Sequence, residues 1–125
     1  MIYGVGVDIV NIRRIDALLK KFGNHFLNRY YTQQEISFCQ SRKCVSNSLA
    51  KMFAIKEAVI KAISAPKYLK WHDIEIMHQT NGKPTIQLTG TAETDLQLTS
   101  SMINISTSDE YPYAIAFAIL SIENT

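Results

Sequence analysis

Two short segments of this 125-residue chain hold carboxylates and lysines at spacings that suit phosphate chemistry. Asp8 ends the first segment, in which Gly4 and Gly6 leave the neighbouring backbone bare. The second segment, residues 53–62, contains Lys56, Glu57 and Lys61. On a helix, Glu57 and Lys61 are four residues apart and share a face.

These residue types suit a substrate that carries phosphate. Mg²⁺ binds one or two carboxylates and completes its shell with waters and substrate phosphates. Lysine ammonium groups neutralise phosphate oxygens and stabilise negative charge on a leaving phosphate. We therefore predict a phosphoryl-transfer site in which Asp8 and Glu57 hold Mg²⁺ and the lysines contact phosphate.

The same residues also have structural explanations. Asp8 would cap a helix that begins near residue 11. Glu57 and Lys61 would form a surface pair worth about 0.2–0.5 kcal/mol. Thr32 and Glu35 have the spacing of a capping box, which we favour over a catalytic base at Glu35. Spacing alone leaves the alternatives for Asp8 and for Glu57 open.

Several other chemistries have no support in the sequence. Gly4 and Gly6 lack the third glycine of a dinucleotide loop, because position 9 is Ile. P-loop, serine-elbow, CxxC and HExxH motifs do not occur. Cys39 and Cys44 do not make a disulfide framework, so we expect free thiols in a reducing cytosol.

Hydrophobic periodicity predicts that helices fill most of the first half of the chain. Apolar residues recur at helical spacing over residues 11–22 and 48–64, and Pro66 would end the longer helix. Between them, residues 24–31 form a short irregular or helical piece, and a second short helix starts at Thr32.

Strands are predicted at the N-terminus and through the second half. Residues 2–9 alternate between an apolar face and a nearly bare face, which indicates close approach of a packed helix, another subunit or a ligand. The other expected elements are strands over 73–78, 84–89, 102–106 and 113–122, a hairpin turn at Asn81-Gly82, and a short helix over 91–98. The last strand alternates large residues with alanines, whose side would pack closely against a helix.

These elements predict an α+β class, with a mostly antiparallel sheet packed on a long central helix. The length favours a single domain, residues 1–125. The longest apolar run has seven residues, short of the roughly 18 that cross a bilayer, and no signal peptide precedes the first strand, so we expect a cytoplasmic protein without a membrane partner.

Charge is divided unevenly along the chain. Residues 1–62 carry ten Lys and Arg against four Asp and Glu, whereas residues 63–125 carry three against seven. The basic half indicates an acidic partner or a phosphate-bearing ligand, or is simply a solvated helix surface. The opposite charges of the two halves also permit self-association.

At the two chemical segments the sequence resembles the holo-[acyl-carrier-protein] synthase family, the small phosphopantetheinyl transferases. The resemblance covers essentially the whole chain. It rests on MIYGVGVDIVNIRRI at the N-terminus and FAIKEAVIKA in the middle, supported by NGKP at 81–84 and an INIS strand before the last strand.

The resemblance implies the family's fold and reaction, which serves fatty acid biosynthesis. The 4′-phosphopantetheine arm of coenzyme A passes to a serine of apo acyl carrier protein, releasing adenosine 3′,5′-bisphosphate. Mg²⁺ would be held by Asp8 and Glu57, and Lys61 would contact phosphate. One of these carboxylates would take the serine proton, directly or through a metal-bound water. The family is typically homotrimeric, with coenzyme A bound between subunits.

Further contacts follow from the same resemblance. The residues expected to border coenzyme A are Lys56, Lys61, Gly82, Lys83, Pro84 and Thr107. The residues expected to dock the acidic carrier protein are Arg13, Arg14, Lys20 and Lys21.

Two departures from the family pattern concern coenzyme affinity. Thr107 stands where the family often has His, and Ser64–Trp71 lacks the family's glycines. Lys67 or Lys70 would supply the lost phosphate contact by charge. The alternatives are a catalytically weak or inactive member that binds coenzyme A or carrier protein, and an RNA-binding domain. The RNA-binding alternative lacks clustered aromatics on a strand, so we expect no nucleic-acid partner.

Overall fold

A computed structural model describes residues 1–64, 69–90 and 102–122 of the chain. The elements in chain order are β1 (Ile2–Asn11), α1 (Ile12–Phe22), α2 (Asn24–Tyr30), α3 (Gln33–Gln40), α4 (Val45–Ile63), a 3₁₀ turn (Trp71–Asp73), β2 (Ile74–His78), β3 (Pro84–Leu88), β4 (Ile103–Glu110) and β5 (Tyr113–Ser121). The predicted α+β class is confirmed.

The strands form two antiparallel sheets. One sheet has the order β1-β5-β4 and the other pairs β2 with β3. The sequence predicted one sheet, but within the described residues β3 lies beside β4 without pairing to it. The long helix α4 packs against β1 and β5 of the larger sheet.

The first strand and the long helix approach each other at backbone distance. A Cβ placed on Gly6 would lie 1.9 Å from the Ala58 carbonyl oxygen, and one on Gly4 would lie 2.0 Å from the Ala62 oxygen. The bare face of β1 is therefore covered by a helix of the same chain, which decides among the three partners that the sequence allowed.

The small residues of α4 and β5 complete this close packing. Ala54, Ala58, Ala114, Ala116 and Ala118 have no exposed surface. The alanines of α4 thus form its contact face with the sheet as well as favouring helix. The prediction that the alanine side of the last strand packs on a helix is confirmed.

The opposite face of the same sheet is apolar and exposed. Val5, Val7 and Ile9 of β1 are more than half exposed, at 55%, 54% and 59%. Tyr113 and Phe117 of β5 extend this surface. We call the face that these five residues form the open sheet face.

Some element boundaries differ from the predicted ones by a few residues. The long helix starts at Val45 rather than at residue 48, and β4 continues to Glu110, so the turn before the last strand is shorter than expected. The capping box at Thr32 and Glu35 is present. Pro66, Lys67 and the helix expected over 91–98 lie outside the described residues. None of the helices in the described part of the chain has the length and hydropathy to cross a membrane.

We expect Gly6→Ala to lower the free energy of unfolding by about 3 kcal/mol, because the added methyl group meets a helix backbone that cannot rotate away. Urea unfolding at fixed protein concentration measures this. Gln87→Ala, at an exposed strand position, is the control and should change stability by no more than about 0.5 kcal/mol. An equally small loss for Gly6→Ala would contradict the close approach.

Candidate functional site

The contact between β1 and α4 brings Asp8 and Lys61 together. The Lys61 Nζ donates to the Val7 carbonyl oxygen at 2.9 Å and lies 3.2 Å from Asp8 Oδ1. Asp8 is mostly buried and Lys61 is half exposed. The helix cap that could have explained Asp8 is instead Asn11, which accepts from the Arg13 amide at 2.9 Å. Asp8 is therefore free of a capping role.

Glu57 lies on the same side of α4 as Lys61 and is half-buried. Burial and the negative charge of Asp8 raise the pKa of Glu57, while Lys61 and Arg14 act in the opposite direction. The expected surface pair between Glu57 and Lys61 does not form, because Lys61 reaches across to β1 for its ion pair. The result is two neighbouring carboxylates flanked by two cations.

This donor set fits a magnesium ion. The described residues hold no cluster of three or more His, Cys, Asp or Glu side chains, so protein donors here would be the carboxylates of Asp8 and Glu57. Mg²⁺ commonly takes one or two carboxylates and leaves other positions for waters and phosphates. A divalent cation would also relieve the repulsion that raises the pKa of Glu57.

Helix α1 presents the basic residues that were expected to dock a partner. Arg13, Arg14, Lys20 and Lys21 are all exposed. Of these four, Arg14 is the one whose charge lowers the pKa of Glu57. Lys20 is partly neutralised by an ion pair with Asp16 at 2.8 Å.

Lys56 is not available to coenzyme A, contrary to the expectation from the resemblance. Its side chain is fully buried and forms an ion pair with the equally buried Glu35 at 2.7 Å. The Lys56 Nζ also donates to the carbonyl oxygens of Tyr30 and Trp71, at 2.9 Å each. Lys56 points into the core because it occupies the side of α4 away from Asp8, a difference that residue type alone did not reveal.

A separate pocket of about 300 Å³ contains three of the other expected coenzyme contacts. Gly82, Pro84 and Thr107 line it. Lys83 instead lines a neighbouring groove between β3 and β4. The hairpin turn is present as predicted, with Gly82 at φ +87° and its amide donating to the Gln79 oxygen at 2.8 Å.

Sequence reasoning missed four prominent residues of this pocket. Phe38 and His78 stack face to face with ring centroids 3.9 Å apart, and Arg42 and Lys51 bring positive charge. Burial, then the charges of Arg42 and Lys51, lower the pKa of His78. These residues come from α3, α4 and β2 and from the loop after α3, so no local spacing joins them. The excess of basic residues in the first half was the only signal.

The pocket and the carboxylates lie on opposite sides of α4. Ile55 lines the pocket, and Glu57, two residues later, is roughly 200° around the helix from it. A single chain therefore presents a phosphate-suited carboxylate pair and a basic pocket that the same helix separates.

Comparison with known proteins gives a consistent family. A family model described as the 4′-phosphopantetheinyl transferase superfamily matches residues 4–116. A holo-[acyl-carrier-protein] synthase of Orientia tsutsugamushi (strain Ikeda) is 42% identical over 128 residues, covering 97% of this chain and 98% of that protein. One from Protochlamydia amoebophila (strain UWE25) is 42% identical over 123 residues, covering 97% and 99%.

Solved structures give the same result. The crystal structure of the holo-[acyl-carrier-protein] synthase of Neisseria meningitidis matches with a TM-score of 0.87 and 33% identity, covering 98% of this chain and 100% of that one. That of Helicobacter pylori, in complex with coenzyme A, matches with a TM-score of 0.83 and 34% identity, covering 94% and 99%.

We expect Glu57→Gln to raise the melting temperature near pH 8 but not near pH 4. Because its folded pKa is raised above the ordinary value of 4.5, the protonated carboxyl stabilises the fold below that value and this contribution is lost as pH rises through the folded pKa. Gln removes the charge at all pH values. Calorimetry across this range measures the difference, and Glu110→Gln, at an exposed strand end, is the control variant.

Proposed function

The chain belongs to the 4′-phosphopantetheinyl transferase superfamily, and on that premise we propose that it transfers the 4′-phosphopantetheine group of coenzyme A to a serine hydroxyl of apo acyl carrier protein. Because the chain belongs to this superfamily, it is a transferase enzyme. Relatives at 42% identity over nearly the whole chain are named holo-[acyl-carrier-protein] synthase, and a matching structure is a complex with coenzyme A.

The observation that carries this proposal is the meeting of Asp8, Glu57 and Lys61 at the β1–α4 contact. Two carboxylates and an ammonium group at one surface are what a diphosphate substrate with a metal counter-ion requires. The three residues come from segments about 50 positions apart, so their meeting is a product of the fold.

Asp8 and Glu57 would hold Mg²⁺ against the coenzyme diphosphate, where the ion would withdraw charge from the phosphate oxygens. Lys61 needs to turn only its exposed end to leave the Val7 oxygen and contact phosphate. The serine oxygen of the carrier bonds to the phosphorus that bears pantetheine. The bond from that phosphorus to the bridging oxygen breaks, and adenosine 3′,5′-bisphosphate leaves with the electron pair.

The serine must lose its proton as it attacks. Asp8 and Glu57 are the nearby carboxylates, and either is a candidate acceptor. Mg²⁺ held by the same carboxylates would offset the burial and the Asp8 charge that raise the pKa of Glu57, so this shift does not choose between the two, or between direct transfer and transfer through a metal-bound water.

The basic pocket with Thr107 suits the nucleotide end of coenzyme A. Arg42 supplies the positive charge that Thr107, in place of the family's His, does not, and Lys51, which is paired with Asp109 at 3.3 Å, adds a further cation. Because α4 separates this pocket from Glu57, we propose that one coenzyme spans the pocket of one copy and the carboxylates of another.

The open sheet face supports assembly of such copies. Exposed apolar patches of this kind mark interaction sites. A symmetric oligomer would bury this face. The number of copies, three, follows from the family resemblance and not from this face.

We assign carrier docking to α1. Its exposed Arg and Lys residues suit an acidic partner, and the charge of Arg14, which acts on Glu57, links this helix to the carboxylates. We also propose a cytoplasmic location and a role in fatty acid biosynthesis. The free thiols Cys39 and Cys44 support the location, since thiols persist in a reducing compartment.

We expect an apo acyl carrier protein incubated with this chain, coenzyme A and Mg²⁺ to gain one phosphopantetheine by intact mass, and chelator to abolish the gain. Asp8→Asn and Glu57→Gln should each lower kcat/KM at least roughly a hundredfold. Glu110→Gln is the matched control. Coenzyme binding without transfer would instead indicate an inactive binder, and salt-sensitive RNA binding that ignores Asp8 and Glu57 would indicate the RNA-binding alternative.

We expect Phe117→Asp to dissociate the oligomer in sedimentation velocity and to weaken coenzyme binding, because a charge on the open sheet face cannot be buried against a second copy. Phe22→Asp is the control, since Phe22 is 47% exposed at the end of α1 and lies outside the open sheet face. A Phe117→Asp protein with the parent's mass in solution would exclude this face as the interface.

A further inference from the structure

The ion pair between Lys56 and Glu35 lies outside the proposed chemistry and is fully buried. Burial of two charges is costly unless every donor and acceptor is satisfied. Here they are: Glu35 Oε1 accepts from the Thr32 amide at 2.8 Å, and Oε2 accepts from the Ile76 amide at 2.7 Å.

All three hydrogens of the Lys56 ammonium are also used. One goes to Glu35, and the others go to the carbonyl oxygens of Tyr30 and Trp71. The Tyr30 carbonyl lies at the end of α2 and the Trp71 carbonyl at the start of the 3₁₀ turn. These two segments are far apart in the sequence. Lys56 therefore contacts both backbone segments from α4, beside the Tyr31 hydroxyl, which donates to the Leu49 oxygen at 2.8 Å, and the His72 ring, which lies 3.1 Å from the Tyr31 oxygen.

The side chains of these two segments form a half-buried ring cluster. Tyr30 and Trp71 have ring centroids 4.9 Å apart, and Phe53 lies 5.5 Å from the first and 5.0 Å from the second. Phe53 is one helical turn before Glu57 on α4. We call Tyr30, Phe53 and Trp71 the aromatic cluster.

The aromatic cluster supports Arg14. The guanidinium carbon of Arg14 lies 5.7 Å from the centroid of the Phe53 ring, and the Arg14 charge acts on Glu57. The negative face of the ring attracts the guanidinium cation, and this attraction restricts a long side chain. The buried lysine, the cluster and Arg14 thus form one continuous set of contacts.

We infer that Lys56 is a positioning residue for the carrier-facing side of the site: by holding the Tyr30 and Trp71 carbonyls it sets the aromatic cluster, and the cluster sets Arg14 beside Glu57. The kinetic part of this inference rests on the proposed function. The structural part, control of the cluster by Lys56, does not.

The test compares Glu35→Gln with Glu35→Gln plus Lys56→Met. In the single variant even a neutral lysine amine keeps two N–H groups, enough for the Tyr30 and Trp71 carbonyls. In the double variant no donor remains for them, although no buried charge is left unpaired. The difference between the two proteins isolates the carbonyl contacts from the loss of the ion pair.

Trp71 is the only tryptophan in the chain, so its fluorescence reports the cluster directly. We expect the double variant to shift Trp71 emission to longer wavelength and to increase its quenching by acrylamide, while the single variant keeps the parent's spectrum. Equal spectra for all three folded proteins would overturn the inference, whether or not the chain has the proposed activity.

The kinetic readout is which of two constants changes, KM for the apo carrier or KM for coenzyme A. We expect KM for the apo carrier to rise roughly tenfold in the double variant and to stay within about twofold of the parent in the single variant, with KM for coenzyme A unchanged in both. A uniform fall in kcat with unchanged KM for the carrier would indicate general destabilisation and contradict positioning.

Phe53→Leu keeps the test decisive if the double variant does not fold. It removes the ring beneath Arg14 and leaves the Lys56 contacts intact. We expect the same selective rise in KM for the carrier, and an unchanged carrier KM would overturn the inference. If the parent itself modifies no carrier, the proposed function fails, and the fluorescence comparison of the pair variants still decides the structural part.

Discussion

The distance between β1 and α4 is the constraint on which the rest of the molecule depends. At Gly4 and Gly6 the strand meets the helix carbonyls of Ala62 and Ala58 with no side chain between them. Asp8 is the next residue on that face of the strand, and Glu57 and Lys61 each precede one of the two contacting alanines. The close approach of β1 and α4 that the glycines permit therefore also brings the charged groups of the strand and the helix together. A thicker layer between strand and helix would leave the Lys61 ammonium short of Asp8.

Two of the three lysines of α4, Lys56 and Lys61, show how one helix serves two purposes. Lys61, on the side facing β1, stays half exposed and holds a carboxylate that belongs to the site. Lys56, five residues earlier, is buried. It joins the end of α2 to the 3₁₀ turn, two segments that share no sheet or helix. Both are lysines in the same short motif. The side of the helix each occupies, rather than its identity, determines whether it can meet a substrate.

Much of the fold could be predicted because its signals are local. The capping box at Thr32, the Asn81-Gly82 turn and the alternation in the last strand each depend on a few neighbouring residues, and each is present in the structure. The α+β class followed from them. The division into two sheets did not, since it depends on how β3 and β4 lie relative to each other.

The candidate site divides in the same way. The placement of Asp8 next to Lys61 was predictable from two motifs and the family resemblance. The burial of Lys56 was not, because its partner Glu35 is 21 positions away and was assigned only a local capping role. Glu35 performs that capping role and, with the same carboxylate, pairs with Lys56. The Phe38–His78 stack joins residues 40 positions apart, a distance over which periodicity carries no information.

The open sheet face has a consequence for how the molecule responds to its own abundance. A chain whose apolar surface is covered only by further copies gains stability from each association, so its melting temperature rises with protein concentration. Under the proposed assembly, dilution would remove both the cover and the site that neighbouring copies build together. A newly synthesised chain would then expose this surface to other apolar surfaces until a copy covered it, and that interval would be its most aggregation-prone.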